Sequence, residues 1–108
     1  MGQRLRIEIS PNCFGKGLNL YHAGCIVVNA SARIGDNCSL HGNNCIGNNG
    51  LSQDAPVIGD NVDIGFGASV IGKVVIADNT IIGANAFVTK SFEKSHCVLA
   101  GVPASVIR

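Results

Sequence analysis

The chain has 108 residues, enough for one domain, and eight basic against seven acidic side chains leave a formal charge of +1. The charges are scattered, which excludes a nucleic-acid footprint and a basic membrane-binding helix as organising features. No apolar run reaches the length of a membrane span, and the opening residues are not expected to act as a signal peptide.

Residues 1 to 13 contain a short alternating strand, Leu5 to Ile9, ended by Ser10, Pro11 and Asn12. Pro11 cannot donate to a ladder, so it belongs at a corner or an edge. An apolar column spaced by six then begins at Phe14 and Leu20 and runs to Ile26. From Val28 a second column continues two residues out of step, through Ile34, Leu40, Ile46, Ile58, Ile64, Val70, Ile76, Ile82 and Val88, and only Ser52 interrupts it. The slip falls in Cys25-Ile26-Val27-Val28, and a break in phase is where a repeat protein can build a site. The stretch from Asn48 to Pro56, which holds Ser52, reads as a loop bulging outwards. After Val88 the pattern stops. Residues 89 to 108 read as a turn, a strand at Cys97 to Leu99, and a tail leaving at Gly101-Val102-Pro103.

A fixed period of six matches neither a helix nor an alternating strand. It is the signature of a hexapeptide β-helix, in which each hexad makes one flat face and a turn. Three faces close a coil of about 18 residues, and coils stack at roughly 4.8 Å, the ordinary strand spacing. The other columns agree. Gly follows the aliphatic at 35, 47, 59, 65 and 83, and Asn comes three places after it at 37, 49, 61, 79 and 85. Both tolerate the left-handed backbone of a tight corner. Cys38, Val62, Ala68, Val74, Thr80 and Ala86, four places on, are small enough to fill a narrow interior. The expected fold is therefore all-β: one domain over 1–108 with about five coils, regular over about 14–88, and a tail over 89–108. The five cysteines (Cys13, Cys25, Cys38, Cys45 and Cys97) are odd in number and lack a CxxC pair. They are expected to be free thiols in a reducing cytoplasm.

A rigid prism has no cleft of its own, so a site is expected at a corner, a loop, or the groove between two prisms. His22 sits just before the slip, with Ala23 and Gly24 leaving room around it. Imidazole suits proton transfer near neutral pH. Glu8 lies fourteen residues upstream (22 − 8) and can reach the same corner from the adjacent layer. A carboxylate there would fix the imidazole tautomer. The alternative is a solvated corner histidine beside a surface charge. His41 is nineteen residues beyond His22 (41 − 22), about one layer along. It reads as a neighbour or substrate-side contact, and otherwise as surface. His96 falls in the tail and reads as structural or exposed.

Several runs carry a resemblance. Glu8-Ile9-Ser10-Pro11, Gly15-Lys16-Gly17-Leu18, Leu20-Tyr21-His22-Ala23-Gly24-Cys25-Ile26-Val27-Val28 and Ala100-Gly101-Val102-Pro103-Ala104 together resemble the catalytic domain of bacterial serine O-acetyltransferases, which are hexapeptide-repeat acyltransferases. The resemblance implies a left-handed parallel β-helix, a homotrimer, and acetyl-CoA as co-substrate with no permanently bound cofactor and no metal. It implies that His22 is the general base and Glu8 its acidic partner, where these enzymes usually carry Asp. The acceptor hydroxyl then attacks the thioester directly in a groove between two subunits. Coenzyme A would lie along Asn48, Asn49, Gly50, Phe66, Gly67, Gly83 and Ala84, beside Gly101, Pro103 and Ala104, held mostly by backbone groups.

The departures fall on the acceptor side. These enzymes typically carry Asp before the catalytic His and an Arg-His pair before a loop Pro. Here the positions hold Tyr21, and Asp54 and Ala55 before Pro56. Tyr21, His41 and Asp54 are the expected acceptor contacts. The β-helix is also preceded by a helical domain in full-length enzymes, so the chain is either a short relative or a piece of a longer one. The leading expectation is an acetyl-CoA-dependent serine O-acetyltransferase of cysteine biosynthesis. The alternatives are a sugar or polysaccharide O-acetyltransferase, or a non-catalytic scaffold. Trimeric zinc carbonic anhydrases share the fold, but His96 lies outside the regular coils and His22 and His41 are a full coil apart, so that site is not expected.

Overall fold

The hexad spacing makes the chain turn every six residues, so each short strand pairs with the one a full coil away. A computed structural model of the chain describes residues 6–8 (as backbone), 13–21, 25–48, 50 and 54–108. Strands are numbered in chain order. The first sheet holds β1 (Arg6–Glu8), β3 (Cys25–Val28), β6 (Asn44–Gly47), β9 (Ser69–Ile71) and β12 (Phe87–Val88), all parallel. The second holds β4 (Arg33–Ile34), β7 (Val57–Ile58) and β10 (Val75–Ile76), extended at its ends by bridges from Phe14 to Ile34 and from Ile76 to Phe92. The third stacks β2 (Asn19–Leu20), β5 (Ser39–Leu40), β8 (Asp63–Ile64), β11 (Ile81–Ile82) and β13 (Val98–Ala100) in parallel. Each sheet thus has five rungs; the parallel β-helix follows from the period, and its left-handed form is the one the resemblance implies.

The core is the pair of inward columns. Ile34, Leu40, Ile46, Ile58, Ile64, Val70, Ile76, Ile82 and Val88 are all buried, as are Cys38, Val62, Ala68, Val74, Thr80 and Ala86. Each buried aliphatic contributes about 1.5–3 kcal/mol. Leu20 keeps the frame yet stays 43% exposed, because among the described residues it has a coil on one side only.

Strand registers relocate the slip. Leu20 pairs with Leu40, but Ile26 pairs with Asn44. Six residues therefore separate the first pair of positions and four the second, so the corner after Leu20 is longer by two. Ile26 and Val28 both point inward from β3; Ile26 fills the place that Asn44 and Ala68 take on later coils. The strand itself is in phase, and the extra residues lie in the corner that precedes it. The outward loop is located similarly. Cys45 pairs with Ser69, a separation of 24, and Val57 with Val75, a separation of 18. Six additional residues thus lie between Gly47 and Val57. One whole hexad inserted as a loop keeps the frame intact, which is why the column ran straight through it; Ser52 lies outside the described residues.

The corners divide the labour expected of Gly and Asn. Asn37, Asn61, Asn79 and Asn85 do adopt left-handed backbone, with φ between 57° and 59°; Asn49 lies outside the described residues. The glycines after the aliphatics do not. Gly59 is required instead by close stacking, since a Cβ there would meet Asp78 Oδ1 and approach Asp78 N to 2.8 Å. That crowding comes from a ladder on the second/third edge: Asp36 accepts from the Lys16 N–H (2.8 Å), Asp60 from Asp36 (2.7 Å), and Asp78 from Asp60 (2.7 Å).

The pattern also outlasts Val88. Phe92 bridges to Ile76, and Leu99 is fully buried in line with Ile82. The strand is Val98–Ala100, one residue later than expected. The tail does not leave: β14 (Ser105–Val106) folds back antiparallel on β13, pairing Leu99 with Val106.

Candidate active site

Every passage from the third sheet to the first turns at one edge of the prism, so residues far apart in sequence line up there. Among the described residues the corners of this edge are 41–43, 65–68 and 83–86, with Tyr21 opening an earlier one and 101–104 bonded to Phe87 beside the last. Backbone bonds lock them in register. Gly67 N–H donates to Gly42 O (2.9 Å), Asn85 N–H to Phe66 O (2.8 Å), and Phe87 N–H to Gly101 O (3.0 Å). Of the expected site residues, Tyr21, His41, Phe66, Gly67, Gly83, Ala84, Gly101, Pro103 and Ala104 all fall on this edge. Tyr21, Phe66 and Val102 present exposed apolar surface along it.

Asn48, Gly50 and Asp54 do not join them. They flank the loop on the first/second edge, where Gly50 N–H donates to Asn48 Oδ1 (3.1 Å). The first sheet separates the two groups, so one copy of the chain does not assemble the whole expected site. His22 and Asn49 lie outside the described residues. Of Glu8 the strand position is described: it ends β1 in register with Val27.

The amides of Gly67, Gly83 and Ala104 are consumed inside the coil stack, by Gly42 O, Leu99 O (2.8 Å) and Phe87 O (2.9 Å). Ala104 is also buried.

His41 lies one layer along from Tyr21, while the expected spacing of His41 from His22 falls on a residue outside those described. Tyr21 N–H bonds Leu40 O (3.0 Å), and the two rings stack with centroids 4.7 Å apart and planes 13° apart. On the next coil Asp63 brings its Oδ1 to 2.6 Å from His41 Nε2. An ionised carboxylate can only accept, so Nε2 carries the proton in the neutral ring. The pair is partly open, with side chains 31% and 43% exposed. Nothing in the sequence reading had singled out Asp63. Its closeness to His41 depends on the inserted hexad, which makes that coil 24 residues long and sets Ser39 opposite Asp63.

Asn44 was missed too. It is buried, accepts from Gly42 N–H (3.0 Å), and donates to Gly65 O and Ala68 O (2.9 Å each). It thereby ties the His41 corner to the next coil. The corners at Gly65 and Gly83 close differently, by backbone bonds from Ala68 (3.1 Å) and Ala86 (3.2 Å).

The thiols keep to the frame. Cys13, Cys38 and Cys97 are buried and all five are unpaired. Burial, and after it the charge of Asp63, pushes the Cys38 thiol up to about 12. Among the described residues no cluster of three or more His, Cys, Asp or Glu could hold a metal ion, and no helix is long and apolar enough to cross a membrane. A cavity of about 510 Å³ lies between the 91–97 turn and Val106 and Arg108. It sits away from the third/first edge, and its one imidazole, His96, has no carboxylate bonded to it among the described residues.

Known proteins resemble the chain in sequence and fold. The family described as bacterial transferase hexapeptide (six repeats) matches residues 55–90. The serine acetyltransferase of Staphylococcus xylosus is 35% identical over 105 residues, covering 94% of this chain and 48% of the relative. That of Mycobacterium tuberculosis is 35% identical over 104 residues, covering 94% and 45%. The chain thus spans about half the length of the curated relatives it matches. Among solved structures, the soybean serine acetyltransferase apoenzyme superposes with a TM-score of 0.87 at 33% identity, over 94% of this chain and 43% of that one. The soybean enzyme complexed with serine gives 0.87 at 32%, over 94% and 42%.

Proposed function

We propose, from the premise that this chain is a hexapeptide-repeat β-helix of the serine acetyltransferase type, that it transfers an acetyl group from acetyl-CoA to the hydroxyl of L-serine. The observation that carries the reading is the alignment of nine expected site residues on one edge, in a chain similar to serine acetyltransferases over 94% of its length. His22 follows Tyr21 directly in the sequence. Its imidazole takes the proton of the acceptor hydroxyl as the oxygen attacks the thioester carbonyl. The carbon–sulfur bond breaks, and the protonated imidazole returns the proton to the departing thiolate. Glu8 holds the ring and stabilises its charged form. Proton transfer of this kind supplies about 10²–10⁴-fold, and positioning supplies more.

The split of the expected residues between two edges supports a homotrimer, in which the loop edge of one copy faces the third/first edge of the next. Coenzyme A would occupy that groove, with Phe66 as an apolar wall. Five unpaired thiols fit a reducing cytoplasm. The test is free-thiol release from acetyl-CoA with L-serine, for wild type and His22→Ala, beside light scattering for the assembly. Serine-dependent release that falls at least a hundredfold in the variant is expected. Release unaffected by His22→Ala, or a monomer with full activity, would sink the reading.

A further inference from the structure

The last coil does not stack flush on the one before it. Ile76 pairs with Ile58 at a separation of 18 (76 − 58), but Phe92 bridges Ile76 at 16 (92 − 76) and Val98 pairs with Ile81 at 17 (98 − 81). The coil is thus two residues short where it reaches the second sheet, and it takes one extra residue around the second/third corner. The cavity of about 510 Å³ opens at that mismatch, and its size suits a small molecule. Phe92, Cys97 and Val106 give it an apolar lining. β14 walls one side, fixed by bonds from Ile107 N–H to Val98 O (2.8 Å) and from Val98 N–H to Arg108 O (2.9 Å).

The polar groups of this corner differ from those stacked on it. Counted back from the pairing of Val98 with Ile81, Ser95 takes the place of Asp78 and His96 that of Asn79. The column of Asp36, Asp60 and Asp78 therefore ends where the hollow begins. His96 keeps the left-handed backbone of the corner, with φ 63° beside 59° for Asn79, and His is among the residues that tolerate it. An imidazole thus replaces a carboxamide without changing the turn. Lys94 and Arg108 line the same hollow, and Lys90 lies over the Phe92 ring at 5.6 Å. The carboxylates of this corner and the one stacked on it are Glu93 and Asp78, and Asp78 turns its Oδ1 to the Asp60 amide on the coil behind. No ion pair joins Glu93, Lys94, His96 or Arg108 among the described residues.

We propose that this hollow binds a small organic anion, its phosphate or carboxylate held by Lys94, His96 and Arg108 and its apolar body by Phe92 and Val106. Lys and Arg supply charge-assisted hydrogen bonds, and a neutral imidazole still offers one N–H. The second/third edge takes no part in the groove assigned to coenzyme A, so the inference stands apart from the acyltransferase reading.

The test titrates phenyl phosphate, phenylacetate, inorganic phosphate and benzyl alcohol into the full chain, read by calorimetry and NMR. Wild type is measured beside Lys94→Gln, Arg108→Gln and His96→Asn, the last restoring the residue usual at this corner. At least one aromatic anion should bind saturably with a Kd of about 1 mM or tighter, and more tightly than inorganic phosphate or benzyl alcohol. The better of the two identifies the head group. Each variant should raise that Kd by about tenfold, the effect of one charge-assisted bond, at unchanged Tm. No saturable binding of either aromatic anion, or binding that no variant weakens, overturns the proposal. So does inorganic phosphate or benzyl alcohol binding as tightly as the aromatic anions. Displacement by coenzyme A also overturns it, because the hollow would then belong to the donor groove.

Discussion

Replacing Asn44 by Ala isolates one set of hydrogen bonds. Ala already occupies the equivalent inward position on the next two coils, at Ala68 and Ala86, so the smaller side chain is native to this column. What Asn44→Ala removes is the tie from Gly42 N–H to the side-chain oxygen and the two donations to Gly65 O and Ala68 O. Gly65 O retains the Ala68 amide, so its loss is partial. A buried group left without a partner costs about 1–3 kcal/mol. One orphaned donor and two weakened acceptors together come to about 2–4 kcal/mol. With a urea dependence of about 1–3 kcal/mol/M, the unfolding midpoint should fall by about 0.7–4 M at unchanged slope. The assay is urea unfolding followed by far-UV circular dichroism at fixed protein concentration, which holds any assembly constant. A fall below about 0.3 M would refute the view that a side chain closes this corner where backbone closes the others.

The remaining predictions address the frame, the edge ladder and the thiols. Ile64 is fully buried between Leu40 and Ile82, so Ile64→Asp places an unpaired charge in a narrow core and should abolish the folded state by circular dichroism; an unchanged Tm would mean the hexad frame is wrong. Gly59→Ala meets the Asp78 backbone nitrogen at 2.8 Å and should destabilise by about 1–3 kcal/mol, read as a lowered Tm, whereas Gly47→Ala, whose nearest neighbour is 3.9 Å away, should not. Cys38 is held neutral in the fold, with its thiol at about 12. Since the unfolded thiol ionises first, its contribution is whole below about pH 8.5 and falls as pH rises above it, by up to about 1.4 kcal/mol per unit. Cys38→Ala should flatten the decline of stability between pH 9 and 11, and equal slopes in the two proteins would count against it. Cys25, exposed, should react with a thiol reagent within the native state, and Cys38 only after unfolding.

The sequence by itself determined the period, and with it the coil, the inward columns and the left-handed Asn corners. A repeat contacts only its neighbours, so spacing translates directly into burial, and Ile34 to Val88 fell where the frame put them. Tertiary structure decided whatever depends on comparing one coil with another. The slip belongs to the corner after Leu20 and not to β3, because only pairing of Leu20 with Leu40 and Ile26 with Asn44 reveals which segment is longer. Asp63 reaches His41 because an inserted hexad lengthens one coil to 24 residues without disturbing the frame, and a period of six cannot register an insertion of six. Leu99 extends the column beyond Val88 after an irregular turn that the hexad count could not cross. Asn44 sits inside because its three partners come from backbone on two coils, and a polar side chain at an inward place is explained only when those partners are in view. The division of the expected site between two edges of the prism likewise follows from closure of the coil, since residues that neighbour one another in sequence turn outwards at different corners.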